Sequence, residues 1–463
     1  MKIPRLLWLL ISISTLILFI CASLRHWLFQ SNALDLGWFD QSLYLISQGK
    51  PPIVSFSDDH ILGDHAAFIF YPLALFYIIV PTVHWLFLVQ AFALSIAVFP
   101  LWKLGKQAGL NDNLALTMVG VYLFYPLIFN VNLFDFHSEV IALPTIFWAV
   151  LAARGNKILQ FLLAIILILS CKAVLSLTVA GMGLWLLLFE NRKNCGFLAL
   201  FLGIFWFIIT TQLIIPQFSG NEVAAVGRYS FLGDSVTEII TNLILHPNII
   251  LSRIFTLANL EYIILLFIPV IWGLSPRHLT PLVATIPAFA LNLLTDYQPQ
   301  KDLVHQYSLP ILPFLLLSVI ATLAARKGFL HRPKYIIIWS LISFLALGKY
   351  GYFTSRYLEQ IETLSGMREA VKLVPTEVKL LTSPQISPHL THRSIIKLAI
   401  KDREPINIQD FDYILLNTRY PGWENSQDTV NDLVNRLQHN DSNFTLKYEK
   451  DAVFLFGKKQ NYK

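Results

Sequence analysis

Between Asn32 and His65 the chain reads NALDLGWFDQSLYLISQGKPPIVSFSDDHILGDH, and this stretch carries Asp35, Asp40, Asp58, Asp59, Asp64, His60 and His65. It lies between two apolar runs that hold almost no charge. Carboxylates and imidazoles beside a membrane can move protons, hold cations or meet phosphates. A solvated loop is the alternative reading. Asp40 and Asp35 are the candidate catalytic residues. Asp135, His137 and Glu139 form a second group in NLFDFHSE. Two acidic clusters from separate loops can make an oxygen-rich site for Mg²⁺ or Mn²⁺, so these three are the candidate metal ligands. In the competing reading Ser138 caps a helix and Glu139 favours its positive end. His60 and His65 stand five apart, a poor spacing for a helical zinc pair.

A third polar group, TDYQPQKDLVHQY, contributes Asp296, Lys301, Asp302, His305 and Tyr307. Lys172 interrupts the apolar run ILSCKAVLSL. It either snorkels to the outer interface or meets an anionic substrate. Arg25, His26 and Arg228 are candidates for phosphate contacts, with a plain outer-surface role as the alternative. Lys172, His305, Tyr307 and Arg228 make up the candidate substrate-binding set.

The elements that must position these groups follow from composition. The 463-residue chain is 55% hydrophobic and only 14% charged; soluble domains carry about a quarter charged residues. Apolar runs long enough to cross about 30 Å of hydrocarbon recur through the first three quarters. The net charge of +6 comes from short basic clusters between those runs, the positive-inside pattern, and implies no nucleic-acid partner. The three cysteines have no metal-ligand spacing and imply no disulfide framework. The N-terminal run, with Lys2 and Arg5 before it and no convincing cleavage site, reads as an uncleaved first span with its N-terminus in the cytoplasm.

The segment from His65 to Pro81 is apolar but short, which suits an interfacial or re-entrant helix. With that segment not crossing, every clear basic cluster falls on one side. The result is about eleven transmembrane helices plus juxtamembrane helices, with a long external loop from Pro216 to about Leu260. The expected fold is therefore an all-α polytopic membrane domain over 1–350, followed by a small α/β extracytoplasmic domain over 351–463. In the tail, EVKLLTS and DYILLNT read as strands, TVNDLVNRLQHN as a helix, and FTLKYEKDAVFLFGKK as a hairpin turning near Lys450 and Asp451. The expected location is the cell inner (plasma) membrane, multi-pass.

Several stretches resemble the prokaryotic membrane family designated domain of unknown function 2079 (DUF2079). They are LDLGWFDQSLYLISQGK, DHAAFIFYPLALFYIIVP, LVQAFALSIAVFPLWKLGKQAG, YPLIFNVNLFDFHSEVIALP, HQYSLPILPFLL, and the tail from VPTEVKLLTSPQISPHLTHR through DYILLNT to YEKDAVFLFGKK. The family usually has Lys followed by Glu at the start of the sixth span, and here Lys172 is followed by Ala173. That family in turn looks like the C-type (GT-C) glycosyltransferases. Phe39-Asp40-Gln41 with Tyr44 and Gly49 resembles their acidic first-loop motif, with Gln41 where those enzymes usually have Glu. The resemblance implies that Asp40 is a general base, that Asp135, His137 and Glu139 correspond to a second-loop acidic motif, and that the sugar donor is a polyprenyl phosphate. It implies a glycosyltransferase. A transporter or flippase for a lipid-linked intermediate, and a non-catalytic envelope assembly protein, are the alternatives. Transporters tend to carry ionisable residues at mid-bilayer, whereas here the span interiors are nearly charge-free.

Overall fold

The computed structural model describes residues 3–400, 407–423, 425–439 and 443–459. The chain forms two compact units interleaved in sequence. One comprises Met1–Ile20, Leu62–Ile69 and Phe87–Lys349, and the other comprises Cys21–Ile61, Phe70–Leu86 and Tyr350–Lys463. The compositional change near residue 350 does mark a boundary. The second unit, however, also takes two early segments that composition assigned to the membrane part.

The first unit is helical. Each expected apolar run becomes a helix, because long runs of Leu, Ile, Phe and Val satisfy their backbone internally and shed their side chains from water. Among the described residues, five helices have the length and apolarity of a span: Arg5–Trp27, His84–Gln107, Asp112–Phe134, Lys193–Ser219 and Pro333–Glu359. The pair Pro247–Ile254 and Leu257–Gly273, bent by 64°, makes a sixth if counted as one span. The other apolar helices, such as Ile158–Cys171 and Leu175–Leu188, have 14 residues each. They reach only about 21 Å. Length and composition alone thus single out five or six spans, and the shorter apolar helices account for the other expected runs. The expected external loop from Pro216 is also more ordered than a loop: it contains helices Val236–Leu245 and Pro247–Ile254. These bury none of their residues.

Helix ends follow local chemistry. Asn111 caps Asp112–Leu123 by accepting from the Leu114 amide at 2.9 Å, and Thr256 caps Leu257–Phe267. Glycine sets the closest helix pairing. A Cβ on Gly183 would stand 2.4 Å from the Leu200 nitrogen, and one on Gly203 would stand 2.5 Å from the Ala180 nitrogen. Helices Leu175–Leu188 and Lys193–Ile209 thus meet backbone to backbone, as small-residue pairs allow in membranes.

The second unit combines the juxtamembrane helices Trp38–Ser47 and Phe70–Ile79 with seven short strands. The Phe70–Ile79 helix has ten residues, as short as the apolar segment expected there. Strands β1 (Ile53–Val54) and β2 (Asp59–His60) form a small antiparallel ribbon. Strands β3 (Leu380–Thr382), β4 (Ile396–Leu398), β5 (Tyr413–Asn417), β6 (Phe444–Lys450) and β7 (Val453–Lys458) form one sheet in the order β4-β3-β5-β7-β6. The β3–β4 and β3–β5 pairs are parallel, and β5–β7 and β6–β7 are antiparallel. Helix Gln427–Gln438, capped by Ser426, packs Val430, Val434 and Leu437 against Leu381, Ile414, Leu416 and Phe456. This is the small α/β part expected after residue 350, with β4 as a strand that its three residues were too few to announce.

Two expected outcomes follow. The hairpin turns at Asp451 and Ala452, both at positive φ (52° and 62°), where glycine fits and alanine is strained. Ala452→Gly should stabilise the second unit by about 1 kcal/mol, read as a raised urea midpoint of the full chain in detergent. For topology, reporter fusions after Lys106, Lys193 and Lys327 should read cytoplasmic, and one after Lys463 extracytoplasmic. A cytoplasmic reading at Lys463 would reverse the assignment of every loop.

Candidate functional site

The second unit holds a cavity of about 330 Å³, in the range that takes small ligands, and Asp40, His26, His84, His389, His392 and Arg393 are among its walls. Asp40 sits in the first turn of Trp38–Ser47 and is 1% exposed. A one-turn π-helix, Ala33–Gly37, leads into that helix. Its cap is Asn32, which accepts from the Leu34 amide at 2.9 Å. Asp35, expected as a cap or a catalytic partner, lies in this turn and is only half-buried.

A buried carboxylate is costly unless donors surround it. Tyr77, on Phe70–Ile79, donates to Asp40 Oδ1 at 2.5 Å. The Thr391 hydroxyl donates to Oδ2. His392 Nε2 stands 3.1 Å from the same oxygen. The ring is poorly aligned for a straight hydrogen bond, so charge attraction carries much of that contact. Burial pushes the Asp40 carboxyl up, but the His392 charge and the hydrogen bonds outweigh it and hold it below the usual carboxylate range. For His392, burial pushes downward and the Asp40 charge more than compensates, so its imidazole titrates above the ordinary value. The two directions agree: each group favours the charged form of the other.

His392 stacks on Tyr44, with ring centres 5.0 Å apart, and lies edge-on to Tyr77 at 5.9 Å. His389 is sandwiched between His26 and Phe29, each 3.9 Å away. His26 and Arg25 are buried, contrary to an outer-surface role. Burial holds the His389 imidazole down to about 3.

Gln41 explains why this loop stays in place. Its Nε2 donates to Ser55 Oγ at 2.9 Å and to the Arg393 carbonyl at 3.0 Å, and its Oε1 accepts from the Ser55 amide at 3.0 Å. The side chain is fully buried. A glutamate here could not donate to the Arg393 carbonyl. Arg393 is fixed in turn, donating to the carbonyls of Leu390 and Pro375.

The first unit gathers the other candidates. Lys172 donates to Glu139 Oε1 at 2.8 Å, and its side chain is 13% exposed. It is a buried ion pair and does not snorkel. Glu139 Oε2 has no partner among the described residues. Ser138 does not cap the following helix: its hydroxyl donates to the Cys171 carbonyl at 2.7 Å. His137 stacks on Phe134, and His305 lies edge-on to the same ring at 4.2 Å. His305 Nδ1 meets Asp302 at 2.8 Å. Arg228 donates to Gln300 Oε1 at 3.0 Å and to Tyr307 Oη at 3.2 Å, and lies over the Tyr297 ring at 4.4 Å. Its hydrogen-bond partners here are neutral side chains. Both Lys172 and Arg228 act on the carboxylate of Asp64, which His65 contacts at 2.7 Å.

The four expected substrate-binding residues therefore share one polar region. The three expected metal ligands do not form a metal set. Among the described residues no three His, Cys, Asp or Glu side chains converge as ion ligands, and Glu139 is committed to Lys172. The cavity beside Glu139 and Tyr307 is about 40 Å³, room for water but not for a sugar. Sequence reasoning missed His392, Thr391, Tyr77, His389 and His84. The available signal was the run His389-Leu390-Thr391-His392-Arg393, dense in imidazole within the tail.

Two outcomes are expected from this geometry. The lowered Asp40 contributes stability that is present above about pH 4 and lost as pH falls through its depressed value. The raised His392 contributes stability that is present below about pH 6.5 and lost as pH rises through its elevated value. Thermal unfolding of the wild type should thus weaken above neutrality, and His392→Gln should flatten that decline. Gln41→Glu should lower stability by about 1–3 kcal/mol through a lost donor and a buried charge, measured as a drop in unfolding temperature in detergent.

The fold places the chain among known proteins. ArnT from Cupriavidus metallidurans bound to undecaprenyl phosphate matches with a TM-score of 0.55 at 10% identity, covering 98% of each chain. The apo ArnT from the same organism matches at 0.51 and 12%, covering 95% of this chain and 97% of that one. The chain shares the fold of these two structures and carries a small C-terminal sheet domain. No curated protein matches by sequence. The family described as "Predicted membrane protein (DUF2079)" matches residues 25–455, and the chain belongs to that family.

Proposed function

We propose that this protein is an integral-membrane glycosyltransferase of the plasma membrane, taking a sugar from a polyprenyl-phosphate donor at the external face. The observation that carries this reading is the Asp40–His392 pair in the wall of a ligand-sized cavity. Transfer from a lipid phosphate needs two chemistries: anion recognition, and removal of a proton from the acceptor hydroxyl. The Asp40 pocket of the second unit is suited to the second. Within the first unit, Arg228 and Lys172 are cations of the kind the first needs. The ArnT bound to undecaprenyl phosphate shares the fold, which supports a lipid-linked donor here. No step in this reading requires a divalent cation.

The span broken by 64° favours a second reading, since discontinuous helices are a feature of transporters. The ionisable groups beside that break are an exposed Arg253–Asp296 ion pair and not a buried set, which favours the transferase.

The test follows transfer from a polyprenyl-phosphate sugar in membranes with protein levels matched. Asp40→Asn should lower the rate about a hundred- to ten-thousand-fold. Arg228→Gln should weaken donor binding and raise the donor concentration needed for half-maximal rate. Asp35→Asn should be mild. Full activity in Asp40→Asn would discard the transferase site and shift weight to lipid translocation, measured by flipping of a labelled polyprenyl phosphate in vesicles.

A further inference from the structure

We propose that His392 takes the proton from the acceptor hydroxyl, with Asp40 behind it as the positioning carboxylate. The inference rests on the transferase reading and reassigns its central role.

Asp40 is poorly placed to be the base itself. Its carboxylate is 1% exposed, Oδ1 is taken by Tyr77, and Oδ2 is taken by Thr391 and faces His392. An acceptor hydroxyl would have to displace one of those donors. Donors to a carboxylate also make it a weaker base.

His392 has the opposite character. Its side chain is 30% exposed and lines the cavity of about 330 Å³. Nε2 is buried against the carboxylate, which leaves Nδ1 as the nitrogen free to meet a hydroxyl. The ring is held by Tyr44 on one face and Tyr77 at its edge. A carboxylate that fixes one imidazole nitrogen and steadies the imidazolium is the logic of acid–histidine pairs in acyl transfer. The charged neighbours are consistent. Asp40 raises the basicity of the ring, and Arg393, whose guanidinium is turned to backbone carbonyls, opposes it. His26, His84 and His389 also line the cavity. His389 is no rival, because its ring is sandwiched and buried and stays neutral well below physiological pH.

The step balances. The acceptor oxygen bonds to the anomeric carbon while the bond from that carbon to the phosphate oxygen breaks. The polyprenyl phosphate leaves with the bonding pair. The acceptor proton passes to Nδ1 of His392, whose Nε2–H is turned to Asp40. The imidazolium then yields its proton to water.

The test uses the full chain in lipid nanodiscs and has two arms. In the first, diethyl pyrocarbonate modification is read residue by residue by mass spectrometry between pH 5 and 8. His392 should react, with a midpoint above that of free imidazole, and Asp40→Asn should bring the midpoint down. An unreactive His392, or a midpoint unmoved by Asp40→Asn, overturns the proposal. In the second arm, transfer from a polyprenyl-phosphate sugar should fall about a hundred- to ten-thousand-fold in His392→Gln, with loss of the acid limb of the pH profile. A wild-type rate or an unchanged acid limb overturns it. If the wild type itself transfers nothing, the donor reading falls, and the first arm alone decides whether His392 is the proton acceptor of this cavity.

Discussion

A single buried negative charge organises the second unit. An unpaired carboxylate taken out of water costs several kcal/mol, so Asp40 can be buried only where donors converge. Those donors come from two other parts of the chain: Tyr77 from a juxtamembrane helix, and Thr391 with His392 from the segment between β3 and β4. The charge therefore dictates which pieces must meet. Gln41, the next residue, does the same work without charge, fastening the β1 ribbon through Ser55 and the tail through the Arg393 carbonyl. Two adjacent side chains on one helical turn hold three stretches of sequence together. This also gives a reason for glutamine at this position, which needs a donor and an acceptor at once.

The first unit meets the same constraint differently. Lys172 interrupts an apolar run, and a lone ammonium there would be expensive. Glu139, the first residue of its helix, answers it. Around this pair stand neutral hydrogen-bonding groups: Tyr262 bonded to Ser308 and Asn292, Asn292 near Gln300, and Gln300 bonded to Tyr229 and Arg228. Such a network is stable only when its members are satisfied; Glu139 Oε2 and Gln306 Oε1, beside the same small cavity, have no hydrogen-bond partner among the described residues.

Most of the helical plan was legible because apolar runs in a membrane chain have few alternatives to helix. The tail hairpin was legible because Phe444 to Lys458 alternates around a short polar turn. Span number was less legible. Apolarity shows that a run avoids water, whereas helix length is set by local breaks, and Ile158–Cys171 and Leu175–Leu188 are shorter than the runs suggested. Asp40 stood out because a carboxylate in an apolar context is conspicuous. His392 did not, since a histidine in a polar tail is ordinary and its partner lies in another region of the chain. Capping was misjudged at Ser138, whose hydroxyl finds the Cys171 carbonyl instead of its own helix. No local rule foresees a competing acceptor supplied by a different helix.

The separation of the Asp40 pocket's parts along the chain has a consequence in time. Thr391 lies 351 positions after Asp40. At about 5–20 residues per second of synthesis, the carboxylate waits about 20–70 s for its donors to be made. Until then it has to stay hydrated, and the Trp38–Ser47 helix cannot settle into its buried place. The Asp40 pocket is therefore incomplete throughout synthesis and closes only when the last quarter of the chain has emerged and folded back. Any agent that holds the tail apart during that interval would act on maturation and leave the finished protein untouched.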